Sequence, residues 1–396
     1  MQLADRVTQM SESATLKMAA MATSLKEEGK DVISLALGEP DFNIPKIIKQ
    51  AAHQAIDDNY SSYTPVPGLK GLREAICQKL KRDNGLDFEV NQIVVSTGAK
   101  QTLMNIFLAI LNPGDEVILP APFWVSYEAM GEFCQAKIRV ISTDISTDFK
   151  VTPAVLEESL SSQTKLYVFS NPCNPSGSMY NKAELEALTA VFAKYDCMIV
   201  SDEIYEYINY GDPLVSLGSF SNIRDRVITV NGVSKGFAMT GWRIGFMAGP
   251  VEVAKACSKL QGQFTSGANA IAQKASELAF LKGKSEALKM KDTFLKRRDL
   301  MISLLSEIPG LKVNKPMGAF YLFPDVSAFF GKTASDGKKI ESSEDLSMYL
   351  LSEALVATTA GEAFGCPKNI RMSYANSDEQ LKEAAHRLKK ALSKLS

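Results

Sequence analysis

Two histidines in 396 residues are few, and their scarcity excludes much chemistry. His53 and His386 each sit in an amphipathic helical pattern beside polar residues, so a histidine-based catalytic triad or metal centre is not expected. Cysteine pairs are missing as well. The six cysteines (Cys77, Cys134, Cys173, Cys197, Cys257 and Cys366) form no C-x-x-C motif, and several fall inside apolar runs that suit a small buried thiol. Neither a zinc site nor a disulfide framework is expected. The first twenty residues hold no uninterrupted apolar run flanked by basic residues, so neither a secretory signal nor a membrane anchor is recognised, and a cytoplasmic setting is the expectation. A surplus of one charge is also absent. Lys and Arg number 44 against 45 Asp and Glu, which leaves no basic excess to attract nucleic acid or an anionic membrane. The expected partner is a small molecule.

What is present is length and alternation. A chain of 396 residues exceeds one ordinary core and suggests two domains sharing a cleft. Between Gln92 and Ala248, seven β-rich runs alternate with helical stretches: QIVVSTG, DEVILP, KIRVIS, KLYVFSNP, CMIVSDE, RVITVNG and RIGFMAG. Consecutive apolar residues in such runs predict strands covered by helices on both faces, hence an α/β fold with a mainly parallel sheet. Sheets of this kind bind ligands outside the carboxyl ends of their strands. A long charged helical stretch from about Phe280 then reads as a connector to a smaller α+β part. That part has strand-like GAFYLFPDV and NIRMSYAN, a helix over SSEDLSMYLLSEAL and a final amphipathic helix. The expected division is an N-terminal arm over 1–47 packing with the smaller part, a large domain over 48–283, and a connector with the small domain over 284–396.

The chemistry gathers where apolar runs end. In VNGVSKGFAMTGWRIG, Lys235 follows a strand at once, flanked by Ser234 and Arg243. A hydroxyl and a bidentate cation would hold a phosphate dianion, although a lone lysine there could equally be a solvated loop residue. In IVSDEIY, Asp202 ends a buried-looking strand with Tyr205 three residues on. A buried carboxylate needs a charged partner such as a protonated pyridine nitrogen; capping the following turn is the competing role. In FSNPCNPSG, prolines and Gly177 present Asn171 and Asn174 on a rigid loop, able to donate to a phenolate oxygen or to serve only as an Asn-Pro turn. VVSTGAKQTL joins strand to helix and would leave backbone N–H groups at Gly98, Ala99 and Lys100 free for an anion. In IRMSYANS, Arg371 lies among apolar residues, where either a substrate α-carboxylate or a structural ion pair would satisfy it.

In this order GEPDF, YTPVPG, GAKQTL, SNPCNPSG, SDEIY, SKGFAMTGWRIG and RMSYA resemble the class I/II aminotransferases, in particular the prokaryotic aspartate aminotransferase subgroup, some of whose members accept prephenate. The likeness runs nearly end to end. It implies fold type I with a seven-stranded sheet, pyridoxal 5'-phosphate as cofactor, and Lys235 as the lysine that holds it as a Schiff base and moves the proton. It further implies that Asp202 pairs with the pyridine nitrogen, Tyr205 and Asn174 bond the phenolic oxygen, and Trp124 stacks on the ring. Ser234, Arg243 and the backbone at Gly98 and Ala99 would hold the phosphate. Tyr63 would reach the neighbouring subunit's phosphate, which implies a homodimer with shared active sites. Arg371, Asn174 and the backbone of Gly38 would grip the substrate α-carboxylate.

The reaction so implied is ping-pong transamination between an L-amino acid and a 2-oxo acid. Lys100 bears on the substrate, because a cation in the first turn of a helix opposes the helix dipole unless an anion is near. The distal carboxylate of aspartate or glutamate could be that anion; water or a protein carboxylate would serve otherwise. Aromatic or prephenate-directed transamination stays open, as does a carbon–sulfur lyase or an aminocyclopropane-carboxylate-synthase-like enzyme with the same lysine, aspartate and arginine. A regulator on this fold would carry a DNA-binding domain ahead of GEPDF, for which little sequence precedes the motif.

Overall fold

A computed structural model describes residues 3–8, 10 and 12–396; Met1, Gln2, Gln9 and Ser11 of the expected arm lie outside the described residues. The seven apolar runs form one seven-stranded sheet. Across it the order is Ile93–Thr97, Ile244–Ala248, Val227–Gly232, Met198–Asp202, Thr164–Ser170, Glu116–Pro120 and Lys137–Ile141. Only Ile244–Ala248 runs antiparallel to its neighbours. The mainly parallel α/β expectation therefore holds. Six of the strands are largely buried, whereas Lys137–Ile141 is mostly exposed and buries only Ile141 fully. Its place at the sheet edge explains why KIRVI alternates instead of running apolar, against the expectation of cover on both faces.

Two apolar layers sandwich the sheet. On one face, Leu103, Ile106 and Phe107 of the helix Ala99–Ile110 pack with Val94, Val168, Val200 and Val230. Their i, i+3, i+4 spacing pins this helix to the sheet and holds its N-terminus just past Thr97. On the other face, Ile76 and Leu80 from Lys70–Asn84 and Ala275 and Ala279 from Ala270–Lys282 meet Val95, Ile244 and Phe246. The strand register then sets the site: Ser170 lies opposite Asp202, and Asp202 opposite Val230, so three polar loops leave the sheet at one level.

The remaining elements depart from the pattern in two places. The charged stretch expected from Phe280 as one element breaks at Gly283 into Ala270–Lys282 and Lys284–Ser306. A side chain at Gly283 would press on Ala279 O and the Phe237 ring, so the close packing there requires glycine. GAFYLFPDV forms only the short strand Tyr321–Leu322, because Ala319 has a positive φ of 55° on one side and Pro324 has no N–H to donate on the other. That strand joins Thr359–Ala360 and Ile370–Ser373 in an antiparallel sheet of three. Ile33–Ser34 pairs in parallel with Val356–Ala357, bringing the chain around Gly38 against Arg371. No helix among the described residues is long and apolar enough to cross a membrane.

Candidate active site

A cavity of about 360 Å³ opens at the carboxyl ends of the parallel strands. It gathers every site residue named from the sequence except Gly98, Tyr63 and Asn171.

The floor is acidic. Asp202 is 4 % exposed, and its Oδ2 accepts from the Tyr127 hydroxyl at 2.6 Å while Oδ1 accepts from Ile204 N–H at 3.2 Å. The second bond is the turn-capping role weighed for this residue, and it coexists with the first. No Lys, Arg or His forms an ion pair with Asp202 among the described residues. Burial pushes its carboxyl up to about 6, against the pull of the two hydrogen bonds and the charge of Lys235. A buried carboxylate short of a cation invites one from outside the chain.

Above it stands Lys235, whose ammonium donates to the carbonyl of Gly38. Burial lowers its pKa to about 8, opposed by Glu39 and assisted by Arg371 and Arg243. An amine so tuned is nucleophilic near neutral pH, unlike a surface lysine.

The anion-binding rim lies at the start of Ala99–Ile110. Ala99 and Lys100, in the first turn, have backbone N–H groups without a protein acceptor among the described residues. Gly98 corrects the expectation: its N–H is not free but donates to Ser96 O at 2.7 Å. Gly98 has φ 82°, and a side chain there would collide with the guanidinium of Arg243, so glycine lets the cation close on the helix N-terminus. Arg243 itself donates to Thr240 O at 2.8 Å and forms no ion pair among the described residues. Ser234 Oγ, on the same rim, has no protein partner among them either.

Trp124 meets Tyr127 edge-on at 5.5 Å, and Lys100 Nζ lies 5.0 Å from the Trp124 ring centre. Lys100 makes no ion pair with a protein carboxylate among the described residues; burial and the nearby Arg243 lower its pKa.

Arg371 is 1 % exposed and likewise has no carboxylate partner among the described residues, so no structural ion pair forms there. Its Nη1 donates to Asn174 Oδ1 at 3.0 Å and its Nη2 to Ala36 O at 2.6 Å, while Nε has no partner among the described residues. The rings of Tyr321 and Phe364 flank it at 4.6 and 5.0 Å. With Oδ1 so engaged, the Asn174 amide nitrogen is left to donate into the cavity. Asn171 is structural instead: its Oδ1 accepts from Tyr180 N–H. Tyr205 shares a 2.8 Å hydrogen bond with Tyr321 Oη. Tyr63 stands apart from the cavity and is 99 % exposed.

Sequence reading missed Tyr127 and Tyr321. Tyr127 follows Trp124 by three residues at a helix start, a spacing that places both on one side. Tyr321 carries no comparable local signal.

The model of the family "Aminotransferase class I and II" matches residues 30–388. The chain belongs to the class I and II aminotransferases. A probable aspartate/prephenate aminotransferase of Rhizobium leguminosarum bv. phaseoli is 45 % identical over 98 % of both chains, and an aspartate/prephenate aminotransferase of Cereibacter sphaeroides is 43 % identical over 98 % of this chain and 97 % of its own. Among solved structures, the aspartate aminotransferase of Rhizobium meliloti superposes with a TM-score of 0.96 at 40 % identity over all of both chains. The Thermus thermophilus aspartate aminotransferase with maleate gives 0.93 at 36 % identity over 99 % of this chain and 100 % of that one. The enzymes of this family are pyridoxal-phosphate-dependent. The cavity fits that cofactor on its own chemistry: unclaimed N–H groups and Arg243 suit a phosphate, Asp202 lacks the cation that a pyridinium offers, and Lys235 is an amine poised between them.

Proposed function

We propose that the protein carries an amino group from an L-amino acid to a 2-oxo acid by a ping-pong sequence, with aspartate and glutamate as favoured donors. The observation that carries this reading is Arg371, a buried guanidinium whose Nε is unpaired and which meets no carboxylate among the described residues. An α-carboxylate bound in its plane would satisfy it, with Asn174 and the backbone at Gly38 beside it.

Pyridoxal 5'-phosphate, when bound, supplies the electron sink that lets the substrate α-carbon lose its proton. Asp202 would keep the ring nitrogen protonated, and Tyr127 would hold Asp202 in place. Tyr205 and the Asn174 amide would steady the phenolic oxygen, and Trp124 would cover one face of the ring. Ser234, Arg243 and the N–H groups of Ala99 and Lys100 would hold the phosphate. Lys235, whose burial favours the neutral amine, would take the proton from the α-carbon and return it at C4' of the cofactor.

Lys100 supports the dicarboxylate preference. It lines the cavity without a protein anion, and a relative of the same fold is named with maleate, itself a dicarboxylate. The names of several relatives include prephenate, which offers a second carboxylate to the same lysine. We further propose a cytoplasmic homodimer, with an N-terminal arm over 1–47 that packs with the small domain, a cofactor-holding large domain over 48–283, and a connector helix with the small domain over 284–396. The fully exposed Tyr63 ring supports the dimer, since a partner's site would give it cover. Six free thiols support a reducing compartment.

The test is a half-reaction. The loaded protein is mixed with aspartate, glutamate, phenylalanine or alanine and no acceptor, and the 2-oxo acid released is counted. One oxo acid per site, fastest from the dicarboxylates, is the expected result. Fastest release from neutral donors overturns the substrate preference, and continuing ammonia release beyond one per site moves the protein to the lyases.

A further inference from the structure

Behind the strand that ends in Asp202, on the opposite face of the sheet, lies a sealed charged cluster that the mechanism above does not use. Glu203 is 1 % exposed, Glu206 is buried, and Lys79, from the helix Lys70–Asn84, is 0 % exposed. Lys79 Nζ sits 2.5 Å from Glu206 Oε2 and 2.7 Å from Asn84 Oδ1. The Asn84 amide bridges Glu206 at 3.0 Å, Ser216 Oγ at 2.8 Å and Glu203 at 3.3 Å. Ser216 donates to Glu203 Oε2 at 2.6 Å and Ser201 to Oε1 at 2.9 Å. Tyr207 packs under Lys79 at 5.4 Å and donates to Asp83, which is held in turn by Arg82 and by Lys284 of the long helix Lys284–Ser306.

One ammonium thus faces two buried carboxylates, an arrangement costlier than an apolar core of the same volume. Burial and the neighbouring Glu206 push Glu203 up to about 7, against the pull of Ser216, Lys79 and Ser201. Such a cost points to a return elsewhere, and the backbone shows where. Neighbouring side chains at a strand end leave on opposite faces, so Asp202 enters the cavity while Glu203 is anchored behind it. The peptide between Glu203 and Ile204 carries the N–H that Asp202 accepts at 3.2 Å. On the other side, Glu203 N–H is tied to Val230 O at 2.9 Å.

We propose that the Glu203 cluster is a positioning device for Asp202: by clamping the Glu203 carboxylate between Ser201, Ser216 and Asn84, it fixes the turn that aims Asp202 at the cofactor ring nitrogen. The inference rests on the assignment of Asp202 to that nitrogen. Glu203 itself touches neither substrate nor cofactor and acts through the Ile204 N–H.

The test compares two probes on the full-length apoprotein, pyridoxal 5'-phosphate and its 1-deaza analogue, in which carbon replaces the ring nitrogen. Dissociation constants are measured for the wild type, Glu203→Gln, Ser216→Ala and Asp202→Asn. Glu203→Gln should weaken the natural cofactor roughly tenfold, the scale of one charge-assisted hydrogen bond, and leave the analogue within about twofold. Ser216→Ala, which removes one bond and keeps the packing, should shift the same way by a smaller factor and covers the case in which Glu203→Gln does not fold. Equal weakening of both probes makes the cluster a plain element of the fold and overturns the proposal, as does no change in either. If Asp202→Asn binds the natural cofactor like wild type, the underlying assignment of Asp202 fails instead.

Discussion

Replacing Arg371 by alanine tests the group proposed to grip the substrate α-carboxylate. The guanidinium has five N–H donors. Asn174 and Ala36 O engage one each, and Nε is unpaired, so three of the five donors are left for a carboxylate entering the cavity. Hydrogen bonds to charged groups contribute about 1.5–3 kcal/mol each, and the variant recovers part of that through water in the vacated space. A net loss of about 3–4 kcal/mol follows, or roughly 10²–10³ in kcat/KM for every α-amino acid. The assay is steady-state turnover of aspartate, glutamate and alanine. A simple amine without a carboxylate, followed by loss of the cofactor's imine absorbance in a single turnover, is the control. The amine should react with the variant about as it does with the wild type. Arg371→Lys should recover little, because an ammonium cannot reproduce the planar fork between Tyr321 and Phe364. A comparable loss for the amine would show that Arg371 holds the site together and does not read the carboxylate, and the reasoning would be refuted.

Burial disfavours the Lys235 ammonium, so its neutral, reactive form dominates above about pH 8; the rate at which apoprotein captures pyridoxal phosphate covalently, trapped with borohydride, should rise through that pH and then level. A rate still climbing toward pH 10 would place Lys235 in water. Lys100→Ala should lower kcat/KM for aspartate about tenfold, as expected for one partly screened charge contact, and change alanine less than twofold. An equal loss for both would make Lys100 a phosphate or structural residue. Tyr63→Ala should weaken cofactor binding in a titration of the apoprotein, although the residue is 99 % exposed on its own chain. Unaltered affinity would remove the argument for shared sites.

How much of this was legible in the sequence depended on the range of the interactions. The sheet was legible because a strand covered on both faces needs apolar residues in succession, and six of the seven runs show that demand locally. Candidates such as Asn174, Asp202 and Lys235 were legible for a related reason: each ends or follows a strand of the large sheet, and the register of Ser170, Asp202 and Val230 makes those strand ends coincide in space, whereas Arg371 lies inside Ile370–Ser373. The resemblance to aminotransferases added roles that no single segment could supply. Illegible were the contacts that join distant segments. Tyr127 reaches Asp202 across 75 positions, and Asn84 reaches Glu203 across 119. Lys79 reads as one more solvated lysine in KGLREAICQKLKRDN, yet it is fully buried. Ser96 claims the Gly98 N–H through a turn that the glycine spacing does not specify. A carboxylate such as Asp202 announces itself by type and place, but the direction in which it points depends on Tyr127 and, on our proposal, on side chains on the far face of its sheet, each matched to a partner elsewhere in the chain. Position of the chemistry was therefore readable along the chain, and its aim only in three dimensions.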